Sequence, residues 1–373
     1  MLALFLRYKR VAIYEIRMEK FFLLLRYSIG ASTELPGSIS DKEWMLIYQL
    51  AAIHSVLGVM LNGIDDSGMK PPFALLMQWI GAAESIKESN KKANAVAVEV
   101  SRFFEDKGYR SCILKGQGNA MIYPAPFSRT SGDIDIWLEG GREKIMKMVE
   151  ELWPRQLVRY HHTEIPDVEG IPVEVHFFPS YMHAPWKNNR LQKWFDSQAD
   201  RQFDNKVSLP DMNERVSIPT IEFNMIYQLQ HMFSHLFTEG FGLRQVLDYY
   251  FVLKAQNDVR SKKEDVRKTL RNLGLYKFAR AMMWVMKEVL HLDEQYMITE
   301  PNEKEGHFLL SEIMQSGNMG HYDTRLGKTT NESITHRYFR MTLRNMRFVK
   351  HYPSEALCEP LFRTWYYFWR MAH

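Results

Sequence analysis

Read as a series of apolar and polar positions, the chain changes its period twice. The first hundred residues follow a helical period. Trp44, Ile47, Tyr48, Ala51 and Val56 fall largely on one helical face behind Ser40-Asp41-Lys42-Glu43. A Ser followed three residues later by a Glu is a capping-box pattern. Asn62-Gly63 predicts the end of that helix. Pro71-Pro72 can open the next, because proline tolerates the first helical turn, and the pattern runs to Asp106 with Gly108 as its stop.

At Tyr109 the period shortens. Ser111-Cys112-Ile113-Leu114 predicts a short buried strand before a glycine-rich turn. A short helix follows from Gly118 to Tyr123, ended by Pro124 and Pro126. Ile134, Ile136 and Leu138 alternate with Asp133, Asp135 and Trp137, which is strand periodicity. Arg142 to Leu152 predicts a helix, and Val158 to Ile165 and Ile171 to Phe178 predict two strands around a hairpin at Asp167-Val168-Glu169-Gly170.

From Pro219 the pattern is helical again. Pro219 to Phe237 and Leu243 to Ala255 form a pair joined at Gly240 and Gly242. Ser261-Lys262-Lys263-Glu264 repeats the capping box, Gly274 closes that helix, and another runs from Tyr276 to Leu290. Residues 317–333 have the composition of a mobile loop, and His336 to Arg347 and Ser354 to Arg370 predict a basic, aromatic helical tail. The expected fold class is α+β: a small mixed β-sheet core flanked by helices. Its expected divisions are a helical N-terminal region over 1–108, an α/β core over 109–215 and a helical C-terminal domain over 216–373.

Composition narrows this picture modestly. At 373 residues, 46% hydrophobic and 25% charged, the chain has the balance of an ordinary globular protein. A formal net charge of +4 over that length does not by itself argue for a nucleic-acid partner. Cys112 and Cys358 offer neither a disulfide framework nor zinc-ligand spacing, so a cytoplasmic setting is expected. The best candidate runs, Leu2–Leu6 and Phe21–Leu25, are short and broken by Arg7 and Arg26, so no membrane span is expected. The basic, apolar start lacks a signal-peptide cleavage site and reads as a docked helix. Met18 is a second candidate start, which would make residues 1–17 an upstream extension.

The chemistry concentrates between residues 114 and 178. Residues two apart on a strand share a face, so Asp133 and Asp135 project together while Ile134 and Ile136 face a core. Two aligned carboxylates repel, and a divalent cation between them removes the repulsion; oxygen donors suit Mg2+ or Mn2+, which complete their shells with phosphates and water. In Val173-Glu174-Val175-His176-Phe177, Glu174 and His176 share the polar face. If that strand lies beside the Asp133 strand, Glu174 can serve as metal ligand or general base. Lys115-Gly116-Gln117-Gly118 places a Gly-x-Gly turn after a strand, where backbone N–H groups can meet a phosphate. Lys115 and Arg129 add positive charge to such a phosphate site. Alone, an Asp-x-Asp is usually a solvated strand face and a Gly-x-Gly usually a turn. Their order along the chain gives them weight.

The series Lys115-Gly116-Gln117-Gly118, Arg129, Gly132-Asp133-Ile134-Asp135-Ile136 and Glu174-Val175-His176 resembles the DNA polymerase β-like nucleotidyltransferase superfamily. Within it, the chain looks most like an uncharacterised bacterial nucleotidyltransferase family often found near polysaccharide gene clusters. His231, His235, Leu243-Arg244 and Asp248 resemble that family's histidine-bearing helix followed by an Arg…Asp helix. The resemblance implies Asp133, Asp135 and Glu174 as metal-binding and catalytic positions. It further implies transfer of a nucleoside monophosphate from an NTP to an acceptor hydroxyl on a sugar, small molecule, protein or RNA. Lys115, Gly116, Gly118, Arg129, His176 and Arg244 are the expected nucleotide-binding residues. Gln117 departs from the pattern, which usually has Ser or Gly there. Two other readings stand beside this one: a glycosyltransferase holding a nucleotide sugar by Asp-x-Asp, and a non-catalytic transferase-fold partner module.

Outside that series the signals are plainer. His161, His162, His176 and His183 cluster in sequence; zinc binding through three of them is one reading, but without the spacing of a zinc motif structural roles are expected, except for His176, which shares a face with Glu174 and can orient the acceptor or a phosphate. His231 and His235, four apart, share a helix face and are expected to line the cleft or pack in it. Arg244 and Asp248 have the spacing of an intrahelical ion pair. Arg337, Arg340, Arg344 and Arg347 recur at helical intervals and predict a solvated basic face.

Overall fold

The computed structural model describes residues 18–256, 259–323, 325 and 333–372. The reading of residues 1–17 as a docked helix lies outside them, as does much of the loop expected at 317–333. Helix α1 covers residues 18–28, followed by α2 (Asp41–Ile53), α3 (Leu57–Ser67) and the 34-residue α4 (Phe73–Asp106). The Ser40 cap forms as its sequence dictates: the Ser40 N–H donates to Glu43 Oε2 at 2.8 Å. The predicted break at Asn62-Gly63 is displaced. The helix ends at Ile53, Ser55 adopts φ +56°, and Asn62-Gly63 lies inside α3. Gly63 is there for close approach: a Cβ on it would meet Ser28 Oγ at 2.0 Å and Ser28 Cα at 2.6 Å.

The core sheet follows, with β1 (Ser111–Leu114), α5 (Gly116–Ala120), β2 (Ile134–Leu138), α6 (Gly141–Leu152), β3 (His162–Val168) and β4 (Ile171–His176). The strand order is β1-β2-β4-β3, with β2 and β4 parallel and the two outer pairings antiparallel. The β3–β4 hairpin turns at Glu169-Gly170 with φ +51° and +74°, as a two-residue turn matched to strand twist requires. Helix α7 (Pro185–Phe203) and the ribbon β5 (Lys206–Ser208) and β6 (Arg215–Ser217), which the apolar pattern did not announce, lead out of the sheet.

The C-terminal helices are α8 (Ile221–Phe237), α9 (Leu243–Ala255), α10 (Val259–Leu273), α11 (Tyr276–Trp284) with a π turn at Val285–Val289, α12 (Glu303–Ser316), α13 (Ile334–Met346) and α14 (Pro353–Ala372). Helix α10 begins at Val259, so Ser261 is inside it rather than capping it. The tail differs from a solvated basic face. Arg344 is buried and donates to Leu236 O at 3.0 Å, and Arg347 pairs with Glu312 at 2.8 Å. Arg337 is exposed as expected and Arg340 partly so, but Phe339, Leu343 and Met346 of α13 are exposed with them.

Two apolar cores hold the chain. In one, Ala93, Val96, Ala97 and Phe104 of α4 pack on Ile134, Ile136, Val173 and Val175 of the sheet. The other joins Phe21, Trp44, Met60 and Trp79 with α8, α9, α11 and Tyr352, so helices from both ends of the chain share it. Trp137 enters this second core, 4.6 Å from Phe203 between ring centres. Strand β2 is therefore covered on both faces: Ile134 and Ile136 face α4, and Asp135 and Trp137 face the C-terminal helices. Among the described residues no helix is long and apolar enough to cross a membrane.

Candidate active site

The parallel register of β2 and β4 sets Asp135 directly beside Glu174, and the antiparallel register of β3 and β4 sets His162 beside His176. One donor atom each from Asp135, Glu174 and His176 lies within 4.8 Å of the others. His176 Nε2 is 2.8 Å from Asp135 Oδ1 and 3.4 Å from Glu174 Oε2. Lys115 Nζ reaches the same Asp135 oxygen at 2.9 Å and His231 Nε2 at 3.1 Å. Lys115 is held there by an unusual backbone, φ +51° and ψ −125°, at the junction of β1 and α5. A non-glycine residue in that region is strained, and here the strain turns the ammonium onto the carboxylate.

Lys115, Asp135, His162, Glu174 and His231, with His176 behind them, line a cavity of about 290 Å³ between the sheet and helices α8 and α9. Asp133 stands exposed at its mouth, one residue before β2 begins. The charge of Asp135, with burial second, raises the Asp133 carboxyl to about 6. Burial would likewise raise Asp135, but Lys115 and His176 outweigh it and hold it well below the usual carboxylate range. For Lys115, burial works against the charge and the attraction of Asp135 prevails, so its pKa is raised. Burial leaves His162 and His235 at about 4 and lowers His231 further, whereas at His176 burial is outweighed by hydrogen bonds to Asp135 and Glu174, so its pKa is raised.

The donor set fits a divalent cation. Asp135 and Glu174 converge with an imidazole, and the raised Asp133 carboxyl is the repulsion that a cation between the aspartates would relieve. Hard oxygen donors accept Mg2+, and the adjoining imidazole widens the range toward Mn2+.

The other expected nucleotide-binding residues divide. Gly116, at φ +25°, opens on the cleft, with only Asp133 O within 4 Å of a Cβ built there. Gly118 turns away, its built Cβ 3.2 Å from Ile218. Gln117, the departure from the family pattern, is buried and donates to Asn94 Oδ1 on α4. Arg129 lines the cavity, yet its fork is engaged by Asp248 at 2.7 and 2.8 Å, and Asn90 of α4 clamps its carbonyl at 2.6 Å. The spacing of Arg244 and Asp248 therefore misled: Asp248 pairs with Arg129 and with the Tyr123 hydroxyl at 2.7 Å. Arg244 donates to Thr130 O at 3.3 Å, and its Nε has no hydrogen-bond partner among the described residues. His231 and His235 line the cleft as expected, 3.2 Å apart through their Nε2 atoms. His183 leaves the histidine cluster for Glu355, its N–H donating at 2.8 Å. Tyr181, Gln228 and Gln245 also line the cavity; they carry no motif, and only the fold brings them in.

No curated protein matches the chain. A crystal structure of an antigenic nucleotidyltransferase-like protein from Paracoccidioides brasiliensis is similar over 57% of this chain and 96% of its own, at 12% identity and a TM-score of 0.33. The model of a family described as "uncharacterised nucleotidyltransferase" matches residues 40–291, which take in the sheet, the cleft and helices α8 and α9. With more than half of its length matched, including every residue assigned above to the carboxylate cluster, the chain belongs to that nucleotidyltransferase family.

Proposed function

We propose that the chain transfers a nucleoside monophosphate from a nucleoside triphosphate to an acceptor hydroxyl, with Asp133, Asp135 and Glu174 holding Mg2+ or Mn2+. The observation that carries this reading is the register of β2 on β4. It sets Glu174 beside Asp135 on a buried wall of a cleft whose mouth is Asp133. Packing alone gives no reason to converge three carboxylates.

In this reading the bound cation screens the triphosphate's charge and aligns its α-phosphate. The residues do the rest. Glu174, the least buried of the Asp135–Glu174–His176 set, accepts the proton of the acceptor hydroxyl. The acceptor oxygen forms its bond to the α-phosphorus as the bond to the bridging oxygen breaks, and pyrophosphate leaves. Arg244, whose Nη1 lies beside Gly132 and whose Nε has no partner among the described residues, contacts the departing phosphates. Gly116 lets backbone approach them. Arg129 acts through position, fixing the loop before Asp133 by its pair with Asp248. Lys115 and His176 orient Asp135.

The test uses radiolabelled NTPs with cell extract, comparing wild type with Asp133→Ala/Asp135→Ala. Labelling of an acceptor is expected only with wild type. Equal labelling by both proteins removes the proposal.

A further inference from the structure

We propose that His161, His162 and His176 form a second metal centre, beside the carboxylate cluster, that takes a transition-metal ion of the zinc class. One nitrogen from each of the three imidazoles lies within 4.8 Å of the others. Two nitrogens sharing a tetrahedral ion at about 2.0–2.1 Å would be about 3.4 Å apart. His161 Nε2 and His162 Nδ1 already stand at 3.2 Å, close to that spacing.

The strands fix this arrangement. His162 and His176 face one another across β3 and β4, and the His161 carbonyl accepts from the Phe177 N–H at 2.9 Å. The rings meet at 4.5 to 5.2 Å between centres. No hydrogen bond holds the far side of two of the rings: Nδ1 of His161 and Nδ1 of His176, the nitrogens turned away from this point, are buried without a partner among the described residues, and His176 is only 1% exposed. Glu174 Oε2, 3.4 Å from both His162 Nδ1 and His176 Nε2, supplies a fourth donor and links this centre to the carboxylates. Three histidines and a carboxylate are a set that Zn2+ and Co2+ accept and Mg2+ does not.

The test is Co2+ titration of the full chain after chelator treatment, in excess Mg2+ to keep the carboxylate cluster filled, read by visible absorption and by bound metal per chain. One Co2+ per chain with the spectrum of nitrogen ligation is expected. His161→Asn and, as a second variant, His162→Gln are each expected to weaken it at least about tenfold. Asp133→Ala is expected to retain it. Absence of stoichiometric Co2+, or unchanged uptake in both histidine variants, overturns the centre. Loss in Asp133→Ala with retention in both histidine variants also overturns it, by assigning the ion to the carboxylates. The readout is metal occupancy, so it does not depend on nucleotidyl transfer.

Discussion

Asp248→Asn tests whether Arg129 serves the fold or the nucleotide. Both side chains are 4% exposed. The guanidinium spends two hydrogen bonds on Asp248, at 2.7 and 2.8 Å, and the Tyr123 hydroxyl donates a third at 2.7 Å. Asparagine keeps the shape and one oxygen but leaves a buried positive charge uncompensated. Breaking such a pair costs about 3–5 kcal/mol, whereas replacing both partners with apolar groups is often neutral. Arg129→Met/Asp248→Leu should therefore recover part of the loss, since the Tyr123 hydroxyl left without its acceptor still costs about 1–3 kcal/mol. Burial raises the Asp248 carboxyl, and the charge and hydrogen bonds of Arg129 outweigh it, so its pKa is lowered. A carboxylate depressed in the folded state stabilises above its ordinary pKa, and that stability is lost as pH falls through the folded value. The gap between wild type and Asp248→Asn should accordingly narrow in acid. Urea unfolding midpoints with their slopes measure all three proteins. A single variant within about 0.5 kcal/mol of wild type, or a double variant as unstable as the single, would refute the reasoning.

Two further outcomes follow from the geometry. In metal-free protein, a folded-state pKa near 6 against an ordinary 3.8 means that Asp133 costs stability as pH rises between those values, so Asp133→Asn should be the more stable protein at pH 7. The shift corresponds to about 3 kcal/mol, which solvent screening at this exposed carboxylate reduces to about 1 kcal/mol. Thermal unfolding from pH 4 to 8 in chelator reads it, and a variant less stable than wild type at pH 7 sinks the account. Gly63→Ala should cost about 1–3 kcal/mol by forcing α3 from α1. Adding Ser28→Gly should return little, because the Ser28 Cα itself lies 2.6 Å from the new methyl; full recovery in that double variant would place the clash in the side chain alone.

Much of the site was legible because strand period and motif order are local properties. Val-Glu-Val-His put Glu174 with His176 with no tertiary knowledge, whereas the expected strand pair of Asp133 and Asp135 is split, with β2 beginning at Ile134, Asp135 buried and Asp133 exposed at the mouth. Long helices were equally legible: α9 falls at the predicted Leu243–Ala255, and α4 within one residue of Pro72. Polar and short elements were not. Helix α7 carries few apolar residues, and β5 and β6 have three residues each, too few to show a period.

Sequence by itself determined that Glu174 and His176 share a strand face and that Asp135 stands opposite Ile134 and Ile136, because a two-residue period fixes a side chain's face wherever the strand goes. Tertiary structure decided the partners. Register placed Glu174 beside Asp135, and the approach of α9 gave Asp248 to Arg129 across 119 positions of sequence rather than to Arg244 four residues away. The same folding carried His161 and His162 to His176 and sent His183 to Glu355. Which charge meets which is settled by burial: a buried ion keeps only the partner that the packing brings within hydrogen-bond reach, and spacing along one helix does not reveal that partner.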